Sequence, residues 1–133
     1  MELAREPIAT YEELRARRKG GAPFPVRVVL FRPVLLPESD HEWSCIVSVE
    51  PLWTEPFKIF GAGSFQALCL GAQHAVQMLA TFAEQEGTLE YSDGEPFDSA
   101  VFGFRLFGDR RTPEESRMFA AHYRPGQTGP HEL

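Results

Sequence analysis

The feature that most constrains the fold is the stretch from Ile59 to Ala83, which carries no formal charge. Within it, apolar residues recur at steps of three and four positions, the spacing of an amphipathic helix. They are Phe65, Leu68, Ala72, Val76, Leu79 and Ala83. The pattern predicts one long helix from Phe65 to Glu86, ended by Gly87. Gln66, Gln73 and Gln77 make it too polar for a membrane span.

Three segments before this helix have the composition of β-strands. The first, from Val26 to Leu36, is rich in β-branched residues and contains Pro33, which favours an edge or a bulge. The second, "WSCIVSV" from Trp43 to Val49, alternates between apolar and polar positions. The third is "PFKIF", with Phe57 and Ile59 on one side. We therefore predict an α+β fold, an antiparallel meander of three to five strands packed on the long helix.

Short helices are predicted near both termini. Thr10 and Glu13 have the spacing of a capping box, which predicts a helix over residues 10–19. The run Thr112-Pro113-Glu114-Glu115 predicts a second helix, reaching about His122. The aromatic segment "SAVFGFRLFG" before it is expected to be extended. The predicted domain organisation is an N-terminal helix and linker (1–22), a single α+β domain (23–124) and a flexible C-terminal tail (125–133).

The turn "GAGS" before the long helix invites comparison with phosphate-binding loops. A dinucleotide-binding fingerprint needs a third glycine where Gln66 stands, and a Walker loop needs a lysine that is absent here. The nucleophile pattern Gly-x-Ser-x-Gly is also absent around Ser64. We expect Ser64 to act instead as the N-cap of the helix.

Charge and composition narrow the classes of function. The net charge of −6 argues against nucleic acid and against anionic membranes as partners. The two cysteines, Cys45 and Cys69, are expected to be reduced and buried. The N-terminal sequence has no apolar signal segment, so a cytoplasmic location is expected. The spacing of His and Cys residues predicts no metal site, and no catalytic constellation or cofactor motif is visible.

Carboxylates cluster in two turn-rich segments. One contains Asp40 and Glu42, and the other contains Asp93 and Glu95. Asp and Glu belong in solvated turns in any case, but acidic loops on a rigid sheet also suit a basic protein partner; a cation or acid–base site is a third option. Trp53, in a connection flanked by prolines, is a candidate interface anchor. The predicted partner-binding residues are Asp40, Glu42, Trp53, Asp93 and Glu95.

Two functional hypotheses follow. The first is a small acidic, non-enzymatic protein-binding module, of the kind that inhibits a bacterial toxin or effector as an immunity protein does. The alternative is a small-ligand-binding protein or an unrecognised enzyme. It would have a pocket between the long helix and the sheet, lined by Gln73, His74 and Gln77. The chain is also a candidate homodimer, because the outer face of the helix and "VFGFRLF" offer more apolar surface than one sheet face hides.

The order of segments resembles a family of small uncharacterised bacterial proteins. The resemblance covers Tyr11 to Gly87 and lies in "RARRKG", the Trp-containing strand, "PFKIFG" and "GSFQALCLGAQHAVQML". The family's signature is a similar Gly-x-x-x-QAL helix after a PF-x-I strand, matched here at Gln66-Ala67-Leu68. This chain departs from it at Ala62-Gly63-Ser64, where the family has a charged or Asp-containing turn. The resemblance implies a bacterial cytoplasmic protein with an α+β fold, and it implies no activity or site residues.

Overall fold

Antiparallel pairing joins all the strands of the sheet. A computed structural model describes residues 7–106. Its elements, in chain order, are β1 (Ile8–Arg18), β2 (Phe24–Phe31), β3 (Val34–Leu35), β4 (Trp43–Glu50), β5 (Phe57–Gly61), α1 (Ser64–Gln85) and β6 (Gly87–Tyr91). The predicted α+β fold, an antiparallel sheet packed on one long helix, is confirmed. No helix within residues 7–106 is long and apolar enough to cross a membrane.

The strands follow the order β5, β4, β2, β1, β6 across the sheet. The short β3 lies on the same side of β4 as β2, because β5 pairs with the other edge of β4. Strands β1 to β5 therefore form the predicted meander. The chain then crosses the sheet through α1 and returns as β6, beside β1 at the opposite edge.

The predicted N-terminal helix is wrong, since β1 occupies Ile8–Arg18. Leu14 and Ala16 point into the core, where they are 2% and 0% exposed. The residues that alternate with them along β1 point to the outer face of the sheet; they are Glu13, Arg15 and Arg17. Pairing with both β2 and β6 overrides the local helix signals, as tertiary context often does. Arg17 of this strand donates a hydrogen bond to the Gly21 carbonyl.

The core lies between α1 and the inner face of the sheet. Its sheet side is formed by alternate residues of β1, β2, β4 and β6, and its helix side by small and large apolar residues of α1. At Gly71 the helix comes so near β4 that an added Cβ would lie 2.9 Å from Cys45 Sγ and 3.3 Å from Val47 Cγ2. A glycine is therefore required for this helix–sheet distance.

The side of α1 that faces the sheet contains much of the predicted apolar stripe, since Leu79 is in the core and Leu68, Ala72 and Ala83 pack against it. The residues of α1 in the core are Ala67, Ala75, Met78, Leu79 and Phe82, and Gly71 is buried beside them. Phe65, which begins the predicted stripe, is 78% exposed. Small residues at Ala67, Gly71 and Ala75 allow the close approach, so shape decides the orientation of the helix rather than hydrophobicity alone.

Residues 98–106 belong to a second unit of the chain and are described by themselves. The predicted extended segment is instead a 3₁₀ helix over Ser99–Phe102. Asp98 caps it by accepting a hydrogen bond from the Ala100 amide, and Gly103 ends it with a φ of 77°. The predicted C-terminal helix and the tail lie outside the described residues.

The contact between Gly71 and Cys45 generates a stability prediction. Gly71→Ala is expected to lower the free energy of unfolding by about 1–3 kcal/mol, because the new methyl group overpacks the interface. Cys45→Ala also destabilises the protein, but it removes the sulfur that the methyl group meets. The double variant should therefore be more stable than the sum of the two single changes predicts.

Urea unfolding of the wild type and the three variants measures this double-mutant cycle. Additive effects of the two substitutions would contradict the proposed close contact.

Candidate functional site

The turn that precedes α1 is a helix cap without a capping hydroxyl. The N-cap is Gly63, in an extended conformation, and no described side chain caps it. The prediction that Ser64 is the N-cap is therefore wrong; Ser64 is the first helical residue. Gln66 instead binds one backbone amide of the turn, since its Oε1 accepts a hydrogen bond from the Ala62 amide at 2.6 Å. Gly61 is needed here because an added Cβ would lie 2.6 Å from the Ala67 nitrogen.

The first acidic segment, which we call the acidic loop, spans residues 36–42 between β3 and β4. The Ser39 hydroxyl accepts hydrogen bonds from the amides of His41 (3.2 Å) and Glu42 (2.9 Å). The Leu36 amide donates to the Glu42 carbonyl and the Ser39 amide to the Leu36 carbonyl, which closes the turn. The loop thus holds its backbone internally and leaves its carboxylates to solvent.

The carboxylates of the acidic loop differ in their surroundings. The side chain of Asp40 is 99% exposed and lies 2.9 Å from Nδ1 of His41. Glu42 and His41 line a shallow groove of about 350 Å³ whose other wall is Phe60, Gly61 and Ala62. The acidic loop therefore borders apolar surface rather than other charges.

Exposed apolar residues lie beside the acidic loop. Val34 and Leu35 of β3 are 45% and 44% exposed, and Phe60 of β5 is 47% exposed. Val34 and Phe60 lie on either side of Ser44 of β4, so they share the outer face of the sheet. None of the three was a predicted site residue. The alternation of "PFKIF" contained a signal for Phe60, since it is on the face opposite Phe57 and Ile59.

The second acidic segment is a tight turn after β6. Asp93 accepts a hydrogen bond from the Glu95 amide at 3.0 Å, and Gly94 adopts a φ of 93°. The Tyr91 amide donates to the Glu95 carbonyl, so the chain folds back along β6. Asp93 and Glu95 are both exposed.

The structure does not bring the two acidic segments together. The last residue of β6, Tyr91, lies opposite Leu14 of β1. Thr10, four positions earlier in β1, lies across β2 at the level of Val47 of β4. Four residues separate Leu14 from Thr10, and four more separate Val47 from the start of β4. At about 3.3 Å per residue the two turns are therefore offset by roughly 25 Å along the strands.

Trp53 lies at the other end of β4 from the acidic loop. Its ring meets Phe57 edge to face at 6.4 Å, and it packs against the core cluster. The five predicted partner-binding residues therefore divide among three places: Asp40 and Glu42 on the acidic loop, Asp93 and Glu95 on the turn after β6, and Trp53 at the other end of β4.

The alternative site, Gln73, His74 and Gln77, is divided between two directions. The His74 ring packs against Phe57 with ring centres 4.7 Å apart. Its Nε2 atom is buried and has no hydrogen-bond partner in the part of the chain that the structure describes. Gln77 donates to the Thr81 hydroxyl along the helix at 3.2 Å. His74 therefore packs on a strand of the sheet, whereas Gln77 bonds along the helix.

A second groove, of about 310 Å³, lies on the outer face where β1 meets β2. It is lined by Glu13, Leu14, Arg15, Pro23, Phe24, Pro25 and Ser92. Its charges are of both signs, and Arg15 lies 3.9 Å from Glu90 across the strands. This groove therefore offers no net charge for a ligand. Within residues 7–106, no three His, Cys, Asp or Glu side chains are arranged to hold a metal ion.

Comparison with known proteins adds no relative. No family model matches the chain, and neither a curated protein nor a solved structure is significantly similar to it. The functional argument therefore depends on the geometry of the chain itself.

The surroundings of His74 generate a pH prediction. Burial lowers the pKa of His74, because the neutral imidazole loses less hydration than the charged form. The unfolded chain, with a histidine pKa of about 6.5, then binds the proton more readily than the folded chain does. The free energy of unfolding should fall as the pH drops below about 6.5 and level off below the folded-state pKa.

The variant His74→Leu should lose this pH-dependent part of the free energy of unfolding and be at least as stable as the wild type at pH 7, since it removes a buried nitrogen without a partner. Urea unfolding between pH 5 and 8 measures both effects. Phe65→Leu, which removes no titratable group from an exposed position of the same helix, is the control and should keep the wild-type slope. An unchanged slope in His74→Leu would contradict the assignment.

Proposed function

We propose that this chain is a non-enzymatic protein-binding module that recognises a basic partner through the acidic loop and the neighbouring β3. One observation carries the proposal. The carboxylates of Asp40 and Glu42 are presented on an internally hydrogen-bonded turn beside the exposed side chains of Val34 and Leu35. Such a surface combines charge for orientation with apolar area for affinity.

The charge of the whole chain supports the same class of partner. A net charge of −6 raises the rate of encounter with a cationic protein, and exposed carboxylates fix its orientation. An immunity-type inhibitor that covers a basic bacterial toxin or effector is the form of this function that we favour. We place it in the cytoplasm, which suits the free thiols of Cys45 and Cys69.

The proposed interface is narrower than the set of residues that the sequence suggests. Asp93 and Glu95 are offset from the acidic loop by roughly 25 Å along the strands. Trp53 packs against Phe57 and the core at the other end of β4. The proposed interface therefore consists of the acidic loop and β3 and does not include Trp53, Asp93 or Glu95.

Charge reversal of the acidic loop tests the proposal. A tagged wild-type chain would be incubated with lysate of its source cells at low and moderate salt, and the bound proteins identified by mass spectrometry. We expect a stoichiometric basic partner whose binding weakens with salt. The double variant Asp40→Lys/Glu42→Lys should weaken that complex at least about tenfold, since it places like charges against the partner.

The matched control is Asp93→Lys/Glu95→Lys, which makes the same change of net charge on the other acidic turn. It should reduce affinity much less, through the long-range field alone. Equal losses in the two double variants would show that only net charge matters and would contradict a specific interface. Binding of a partner that neither variant weakens would contradict the proposal as well.

The alternative function, a small-ligand site, is favoured by one observation, the buried Nε2 of His74 without a described partner. A ligand that donates a hydrogen bond to this nitrogen would compensate for its burial. Thermal unfolding in the presence of a metabolite collection tests this: a ligand should raise the melting temperature of the wild type but not that of His74→Leu. Equal shifts in both proteins would exclude His74 as the binding group.

A further inference from the structure

The outer edge of β5 is open within residues 7–106. β4 pairs with one edge of β5 along Phe57–Gly61 without a register shift, and no described strand pairs with the other. Proteins usually protect such an edge with charges, prolines or a bulge, because an open strand pairs readily with another chain. Here the strand is regular, and Lys58 is its only charge.

The opposite edge of the sheet is treated differently. Residues after β6 fold back along it, with a bridge between Glu90 and Pro96. The Phe97 amide donates to the Leu89 carbonyl, and the Tyr91 amide donates to the Glu95 carbonyl. The chain therefore covers one edge with its own backbone, while no strand within residues 7–106 covers the other.

The helix side that borders β5 carries no charge either. His74 packs over Phe57, and Gly71 packs over Cys45 of β4, which fixes how α1 is rotated. Leu70 and Gln77 lie roughly 40–60° farther round the helix than His74, on the side away from β4, at about 100° per residue. Leu70 is 38% exposed. A neighbour seated on the β5 edge would therefore meet uncharged side chains above the sheet.

We propose that a second copy of this chain pairs with the edge of β5, antiparallel, across a two-fold axis at Ile59. The two sheets then join into one, and both α1 helices remain on the same face with their Leu70 sides towards each other. A homodimer needs such a self-complementary surface, because each copy contributes the same residues. The register centred on Ile59 pairs all five residues of β5 with their counterparts, whereas centring on Lys58 or Phe60 pairs only three.

The register follows from side-chain direction and charge. Residues that lie opposite each other across the axis must point to the same face of the sheet. The register between the two copies can therefore change only in steps of two residues. Pairing centred on Lys58 places two lysines directly opposite each other, which is unfavourable. Pairing centred on Ile59 instead places Lys58 opposite Phe60 of the partner copy, twice by symmetry. An exposed lysine beside an exposed aromatic ring permits a cation–π contact.

This inference does not rest on the proposed function. The acidic loop connects β3 and β4, whereas the proposed dimer uses β5 and α1. The dimer is a property of the purified chain, measured without any other protein. If the purified chain is monomeric, the proposed role of the acidic loop still stands. If charge reversal does not weaken partner binding, the proposed dimer still stands.

Sedimentation equilibrium of the purified full chain, over a concentration series up to hundreds of micromolar, is the first test. We expect a reversible monomer–dimer equilibrium. Phe60→Lys should raise the dissociation constant at least tenfold, since it places a lysine directly opposite Lys58 of the other copy at two positions of the seam. Phe65→Lys, at an even more exposed phenylalanine on α1, is the matched control and should leave the dissociation constant unchanged.

A wild-type chain that remains monomeric throughout the series would overturn the proposal. So would a dimer that Phe65→Lys dissociates and Phe60→Lys does not. Far-UV circular dichroism and urea unfolding of each variant confirm that the comparison is between folded proteins.

Disulfide trapping tests the register independently. Directly opposite residues of antiparallel strands have Cα atoms about 4.5–5.5 Å apart, within the range of a disulfide. In a Cys69→Ser background, Ile59→Cys should form a covalent dimer under mild oxidation. Cys45 can stay, since it is buried and burial raises the pKa of its thiol.

The control is Lys58→Cys in the same background. Lys58 is more exposed than Ile59, so random collisions would favour its cross-linking. In the proposed register it faces residue 60 of the other copy and should cross-link poorly alone, but well when mixed with Phe60→Cys. Efficient cross-linking of Lys58→Cys alone, and not of Ile59→Cys, would overturn the proposed interface.

Discussion

The close approach of α1 to β4 and β5 determines much of the rest of the structure. Gly71 against Cys45 and Gly61 against Ala67 leave no space for a Cβ atom at either glycine. These two contacts fix both the height of the helix above the sheet and its rotation about its own axis. Because the interior is close-packed, every other side chain of α1 takes its surroundings from them.

The rotation of the helix explains which of its residues are buried and which are exposed. It directs His74 onto Phe57 and leaves the large side chain of Phe65 in solvent. At the far end of the helix, Phe82 is 2% exposed and meets Phe24 edge to face, with the Arg18 guanidinium 5.4 Å from both ring centres. Arg18 also lies 3.5 Å from Glu86. The β1–β2 hairpin and the end of α1 are thus joined by aromatic and charged contacts.

Periodicity in the sequence was sufficient to predict α1 and the strands β2, β4 and β5, since each has a regular pattern of its own. It failed for β1, because Thr10 and Glu13 also satisfy the rules of a helix start and only pairing with two neighbours decides between the states. It placed most of the apolar stripe of α1 correctly but failed at Phe65, which is exposed because the small residues Ala67, Gly71 and Ala75 form the closest contact with the sheet. The separation of the acidic turns could not be predicted, because it depends on the registers of strands distant in sequence.

The outer face of the sheet shows how register distributes chemistry across the molecule. On β1, β2 and β6 this face carries Glu13, Arg15, Arg17, Arg27 and Glu90. On β4 it carries Ser44, Ile46 and Ser48, and on β5 it carries Lys58 and Phe60. Charge is therefore concentrated at the edge that the chain covers with its own backbone, and it is sparse at the β5 edge, where no strand within residues 7–106 pairs. Few charges at a strand edge leave little to oppose its pairing with another chain. The alternation of inward and outward side chains that builds the core therefore also determines which edge of the sheet is suited to pairing.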